Sequence, residues 1–70
     1  MMPLTLAEVG EETIIRKIGG RQEVKAHLEN LGFVVGGAVT VISAIGGNVI
    51  VNVKDSRIAV SREMAQKIMV

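Results

Sequence analysis

The 70-residue chain is long enough for one domain with a modest core, and its lack of cysteine excludes disulfides, thiolate metal sites and cysteine nucleophiles. The formal net charge is +1, and the longest cationic run, Arg16-Lys17, is far short of a nucleic-acid-binding footprint. One Phe and no Trp or Tyr leave no aromatic platform for stacking bases, so nucleic acid is not expected as a partner.

No window reaches the roughly 18 to 20 uninterrupted apolar residues of a membrane-spanning helix. The longest apolar stretch, residues 31–53, is broken by two Gly-Gly pairs, and the N-terminus lacks the basic start of a signal peptide. A cytoplasmic protein without direct membrane insertion is therefore predicted. The apolar content, 49%, is high for so small a soluble domain and indicates either a tightly packed core or an exposed docking or self-association face.

The N-terminal segment predicts one short helical turn. Thr5 and Glu8 have the spacing of a capping box, and Gly10 ends the turn. Its expected apolar contacts are Leu4, Leu6 and Val9.

A strand and a helix are predicted next. Residues 12–18 form the strand, with Ile14 and Ile18 on one face and Ile15 on the other, and Gly19-Gly20 ends it. Residues 22–31 form the helix, because apolar residues recur at helical spacing. The stripe consists of Val24, Leu28 and Leu31, followed by Gly32 as a left-handed cap and Phe33 folding back on the stripe.

The second half predicts three meandering strands and a last short helix. The turns are residues 46–48 and 54–56, both rich in turn-forming residues. The strand faces expected to be apolar carry Val39, Val41 and Ile45, then Val49, Val51 and Val53, then Ile58 and Val60. Ser61 is the predicted N-cap of the last helix, with Glu63 in its first turn and Met64, Ala65 and Ile68 as its buried side. This order predicts a mainly β fold: a small SH3-like β-barrel with one inserted helix and a short C-terminal helix.

The ordered set of motifs resembles the FeoA family and the homologous SH3-like C-terminal domain of DtxR-type iron-dependent repressors. The motifs are Leu4-Thr5-Leu6 with Gly10, an isoleucine-rich strand before Gly19-Gly20, Leu28-x-x-Leu31-Gly32, Gly37-x-Val39-x-Val41, and Ile58-Ala59-Val60 with Ala65 and Ile68-Met69-Val70. The resemblance spans residues 1–70 as a single FeoA-like domain. The chain departs from it at His27, where the family often has Arg, and at Gly36, where it often has Pro.

The resemblance implies a small cytoplasmic adaptor of the bacterial ferrous iron transport system. The implied partner is FeoB, a membrane transporter with a GTP-binding domain, so the adaptor would be peripheral at the inner membrane through FeoB. Two alternatives stay open: a free-standing metal-sensing or regulatory domain related to the repressors, and a self-associating structural module. An upstream helix-turn-helix domain would favour the first, and the chain is not expected to hold one.

The residues favour neither catalysis nor a strong metal site. One His, no Cys, and no phosphate-loop or nucleophile-elbow motif predict a protein that is not an enzyme and has no catalytic residues or bound cofactor. Glu23 and His27, at i and i+4 on the helix, are weak candidates for a divalent metal such as Fe(II), but no third ligand can be named.

A docking face has clearer candidates. Met64 and Met69 are adaptable apolar groups whose commoner use is core filling, and an open barrel also offers strand edges to a peptide or to a second copy. The candidate rim charges are Arg16, Lys17, Arg21, Lys25, Lys54, Arg57, Arg62 and Lys67.

Overall fold

The structure, a computed structural model, describes residues 1–70 and contains six strands, two helices and one 3-10 turn. In chain order these are the 3-10 turn Leu4–Leu6, β1 Glu12–Ile14, β2 Lys17–Ile18, α1 Gln22–Leu31, β3 Ala38–Ile45, β4 Asn48–Val53, β5 Ser56–Ser61, α2 Arg62–Ala65 and β6 Ile68–Met69. The mainly β architecture predicted from the sequence is confirmed. Neither helix has the length and apolar character needed to cross a bilayer.

The strands form two antiparallel sheets. The larger has the order β1-β3-β4-β5, and the smaller pairs β2 with β6. One extended stretch of chain contributes a strand to each sheet. Its first part, β1, pairs with β3, and its second part, β2, pairs with β6. The change of partner occurs at Arg16, whose N–H donates to the carbonyl of Met69 at 2.7 Å.

The change of partner explains one wrong prediction. Residues 12–18 were expected to form one strand with Ile14 and Ile18 on the same face, but they form two strands in different sheets. Ile15 and Ile18 are buried, whereas Ile14 is 44% exposed. Simple alternation fails because the chain leaves one sheet and joins the other between Ile15 and Ile18.

The core consists of 14 buried residues, all apolar. Its centre is the inner face of β3, β4 and β5, where the predicted alternation is confirmed for Val39, Val41, Val49, Val51, Val53 and Val60. Ile45 was expected on the same face and is 63% exposed. A register shift between Val41 and Ser43 inserts an extra residue into β3, and a bulge of this kind reverses the faces that follow it.

Helix α1 begins and ends as predicted. Gly32 has φ +110°, a left-handed conformation that favours glycine, and its N–H donates to the carbonyl of Glu29 at 3.0 Å. The Phe33 N–H then donates to the Leu28 carbonyl at 2.9 Å, which returns the chain towards the core. Phe33 and Leu28 are fully buried, and Val24 and Leu31 pack against the core from the same stripe.

The expected capping box is wrong. The N-terminal turn begins two residues earlier, with Pro3 instead of Thr5 as its N-cap, and no side chain caps it. Thr5 therefore lies inside a single 3-10 turn and cannot act as its cap. Leu4 is buried as expected, but Leu6 and Val9 are 67% and 64% exposed.

At the other end, Ser61 caps α2 as predicted, its Oγ accepting a hydrogen bond from the Met64 N–H at 3.2 Å. The helix is shorter than expected because it ends at Ala65. Ile68, predicted on its buried side, is fully buried but belongs to β6. β6 and the residue after it also contact the N-terminal segment: Pro3 forms an antiparallel bridge with Met69, and Met2 and Val70 exchange two backbone hydrogen bonds of 3.0 and 2.8 Å.

Candidate docking surface

Helix α1 is flanked on one side by a cleft of about 370 Å³. The loop that follows the helix supplies Val34 and Val35, β2 supplies Ile18, and Lys25 and Glu29 of α1 form the charged rim. Three apolar side chains beside one cation and one carboxylate suit a partner that is apolar at its centre and polar at its edge.

Hydrogen bonds hold the loop that carries Val35. The Gly36 N–H donates to the Ile15 carbonyl at 2.8 Å, the Ile15 N–H donates to the Gly37 carbonyl at 2.9 Å, and the Gly37 N–H donates to the Val34 carbonyl at 2.9 Å. Gly36 has φ +90°, which this turn needs and which side chains disfavour. Val35 is therefore presented at 63% exposure by an ordered loop.

A second cleft, of about 320 Å³, lies between α1 and α2. Its apolar lining is Val24 and Met64, and its polar lining is Ser61, Glu63 and Lys67. Met64 is only partly buried, so some of its flexible thioether chain faces this cleft as well as the core. Met64 and Lys67 are both predicted from the sequence as docking residues, and the structure brings them together in this cleft.

A third groove, of about 210 Å³, differs from these two because it is polar. It lies over the outer face of the sheet, where Thr40 stands between Glu12 and Asn52 in the strand register. Its lining residues are Glu12, Ala38, Thr40, Asn52, Lys54 and Asp55.

The remaining charged candidates are dispersed. Of the eight predicted rim cations, only Lys25 and Lys67 line the apolar clefts. Met69 lies in β6, is half-buried and lines neither of the apolar clefts. The valines of the first cleft were missed, although the run Phe33-Val34-Val35 after the helix cap contains more apolar residues than one turn can bury.

The weak metal candidates are both on the exposed side of α1. Glu23 and His27 lie one helical turn apart and are exposed. Within residues 1–70 no group of three or more His, Asp or Glu side chains is placed to hold one ion. The pair alone supplies two ligands, fewer than a stable site usually needs.

The domain described as FeoA matches residues 2–70, nearly the whole chain. The chain belongs to the FeoA family. A relative in Methanocaldococcus jannaschii, named "Putative Fe(2+) transport protein A", is 40% identical over 70 residues, which are 100% of this chain and 85% of the relative. FeoA proteins are accessory proteins of ferrous iron transport and are not a known enzyme family.

Solved structures agree with this assignment. A crystal structure of an iron uptake regulatory protein, FeoA, superposes with a TM-score of 0.89 at 26% identity and covers 99% of this chain and 92% of its own. FeoA of Stenotrophomonas maltophilia in complex with zinc, described as a procaryotic SH3 domain protein, has a TM-score of 0.85 at 21% identity, with 100% and 89% covered. ScaR with bound Zn²⁺ has a TM-score of 0.86 at 18% identity over 97% of this chain and 35% of its own. This last match shows that FeoA shares its fold with a domain of DtxR-type repressors.

Proposed function

We propose that this FeoA protein is a cytoplasmic adaptor that docks on FeoB, the membrane transporter with a GTP-binding domain, and supports Fe(II) uptake. It would be peripheral at the inner membrane through that contact. Membership of a ferrous iron transport family supports a role in Fe(II) uptake. The apolar cleft beside α1 supports a docking role within it.

The observation that carries the docking proposal is the exposure of Val35 on a hydrogen-bonded loop. Covering a Val side chain contributes about 1.5 kcal/mol or more, and half-buried Val34 adds to the same contact, whereas Ile18 is already buried and forms only the floor of the cleft. Because the loop is already ordered, docking loses little of this free energy to immobilising it. The transporter itself would hydrolyse GTP and move iron. The contact with FeoA would act by favouring one assembly state or conformation of the transporter.

The experiment is co-purification of tagged FeoA with its host's FeoB from detergent-solubilised membranes, with a GTP analogue, with GDP and without nucleotide. We expect retention of FeoB, and a difference between nucleotide states would place the action within the GTPase cycle. A folded bait that retains no FeoB in any state contradicts direct docking and favours the metalloregulatory alternative.

Two matched variants test the surface. Val35 and Ile45 are both β-branched, aliphatic and 63% exposed, but only Val35 lines the cleft. Val35→Glu is expected to weaken FeoB retention about tenfold or more, because it places a charge in an apolar contact. Ile45→Glu should leave retention unchanged. Equal effects of the two variants would contradict the assignment of the cleft while leaving docking itself intact.

A further inference from the structure

The large sheet has an open edge at β1. β1 is the terminal strand of that sheet, and its partner on the other side is β3. The Ile15 N–H donates to the Gly37 carbonyl, on the β3 side, and backbone groups of an antiparallel strand alternate in direction from residue to residue. The N–H and C=O groups of Glu12 and Ile14 therefore point away from β3, towards the free edge.

The side chains along this edge change sign from one end to the other. Glu11 and Glu12 precede Ile14, and the first fifteen residues contain no Lys or Arg. Arg16 and Lys17 follow Ile14 directly. All of these charged side chains are exposed, and so is Ile14, at 44%. The edge is thus acidic at its beginning, apolar in the middle and basic at its end.

A strand that fits this edge in the antiparallel direction carries the same order of charges, acidic, apolar, then basic. β1 of a second copy has that order. A lysine-rich segment would be repelled at Arg16 and Lys17, and an acidic segment would be repelled at the glutamates. We infer that the free edge of β1 is the contact of a symmetric homodimer, in which two β1 strands pair antiparallel about a twofold axis at Thr13.

The register of this dimer follows from the outward-facing groups. Glu12 lies opposite Ile14 of the second copy, and by symmetry Ile14 lies opposite Glu12 of the second copy. Each of these two pairs exchanges two N–H···O hydrogen bonds. On the outer face Glu12 is diagonal to Arg16 and also to Glu12 of the second copy, so two opposite-charge contacts stand against one like-charge contact across the axis; the two Ile14 side chains are diagonal to each other.

The contact is short, so the dimer is weak. β6 occupies the edge from Arg16 onwards, as the hydrogen bond from Arg16 to Met69 shows, and this limits the free stretch to Glu12–Ile14. Interfaces of this size form transient complexes whose population depends on concentration. The twofold symmetry also closes the edge, because neither β1 strand remains open to a third copy.

The test is analytical ultracentrifugation of the purified chain from about 10 μM to about 1 mM, a range that covers affinities of weak complexes. We expect reversible dimerisation. Glu12→Arg and Arg16→Glu should each raise the dissociation constant about tenfold, because each places like charges diagonally across the axis twice. Glu23→Arg, an exposed reversal on α1, is the matched control and should change nothing.

The charge-swapped double variant decides between a second copy and any other occupant. Glu12→Arg with Arg16→Glu in one chain restores both cross-axis pairs, so it should dimerise like the wild type. Mixing the two single variants should give a heterodimer tighter than either homodimer. A chain that stays monomeric throughout the range, or a dimer that the reversals do not weaken and the swap does not restore, overturns the inference.

Amide hydrogen exchange supplies a second measurement. The amides of Glu12 and Ile14 should become protected as concentration rises, while Thr13, which already faces β3, should not change. Protection of Glu12 and Ile14 that appears only when FeoB is added, and not with concentration, would assign the edge to the transporter and overturn the homodimer.

Discussion

The two hairpin turns of the large sheet differ in whether glycine occupies the left-handed backbone positions, and this difference should be measurable as a change in stability. The turn between β4 and β5 holds Lys54 and Asp55 at φ +49° and +63°, both left-handed and neither a glycine. The turn between β3 and β4 has Gly46 at φ +59°, with open space where a Cβ would stand. Lys54→Gly should therefore stabilise the protein, and Gly46→Ala should destabilise it; Asp55 is not the test site because Asp tolerates the left-handed conformation.

The magnitude follows from two opposing terms. A left-handed conformation costs a residue with a side chain about 1–2 kcal/mol, and glycine avoids this cost. Glycine loses more backbone entropy on folding, about 0.5–1 kcal/mol, which offsets part of the gain. Lys54→Gly should then raise the free energy of unfolding by about 0.5–1 kcal/mol, and Gly46→Ala should lower it by a similar amount.

The assay is urea unfolding followed by far-ultraviolet circular dichroism, with thermal melts alongside. A difference of about 1–2 kcal/mol between the variants corresponds to melting temperatures about 4–16 °C apart for a domain of this size. The urea m-value should not change, since neither substitution alters the surface exposed on unfolding. A Lys54→Gly protein no more stable than the wild type, beside an unaffected Gly46→Ala protein, would refute the reasoning from backbone conformation.

Three further outcomes are expected. Phe33→Ala removes the largest fully buried side chain and should cost about 3–5 kcal/mol, enough to leave much of so small a domain unfolded in circular dichroism at room temperature, whereas Phe33→Leu should stay folded. Ser61→Ala removes the hydrogen bond that caps α2 and should cost about 1 kcal/mol in urea unfolding, while Ser56→Ala, at an exposed position, should be close to neutral; equal losses would contradict the capping role. Zn²⁺ or anaerobic Fe²⁺ should leave the melting temperature unchanged, since Glu23 and His27 supply only two ligands; a saturable rise that His27→Ala abolishes would show a metal site.

The sequence was most informative where local signals act alone. Helix α1, its Gly32 cap and the return of Phe33 follow from spacing and from one glycine. The inner face of β4 follows from strict alternation. These features depend on residues that are close in the chain, so contacts with distant segments did not change the local structure that the sequence predicts.

The errors share a different cause. Ile14 and Ile45 have the residue type of a core position, yet both are exposed. In one case the strand changes sheets at Arg16, and in the other a bulge after Val41 reverses the alternation. Distant segments of the chain determine which strand lies beside a given residue. The alternation of apolar residues alone could therefore locate neither the change of sheet nor the bulge.

The candidate docking cleft could not be predicted for the same reason. Ile18, Lys25 and Val35 are separated in sequence and are brought together by the hydrogen bonds between Ile15 and the loop at 36–37. The candidates chosen for chemistry, Glu23 and His27, lie outside it. A search for chemically distinctive side chains is poorly suited to a candidate docking cleft whose exposed lining is provided by valines.

The pairing of β2 with β6 has a consequence for biosynthesis. Lys17 lies opposite Met69, so the smaller sheet joins segments 52 residues apart, and Met2 bonds to Val70 across almost the whole chain. Contacts of such long sequence separation form slowly, because the intervening chain must be ordered first. On the ribosome, the large sheet can pair once β5 has emerged, but Ile18 stays uncovered by β6 until residue 70 has left the exit tunnel. The folded domain therefore forms only after nearly all of its residues have been synthesised.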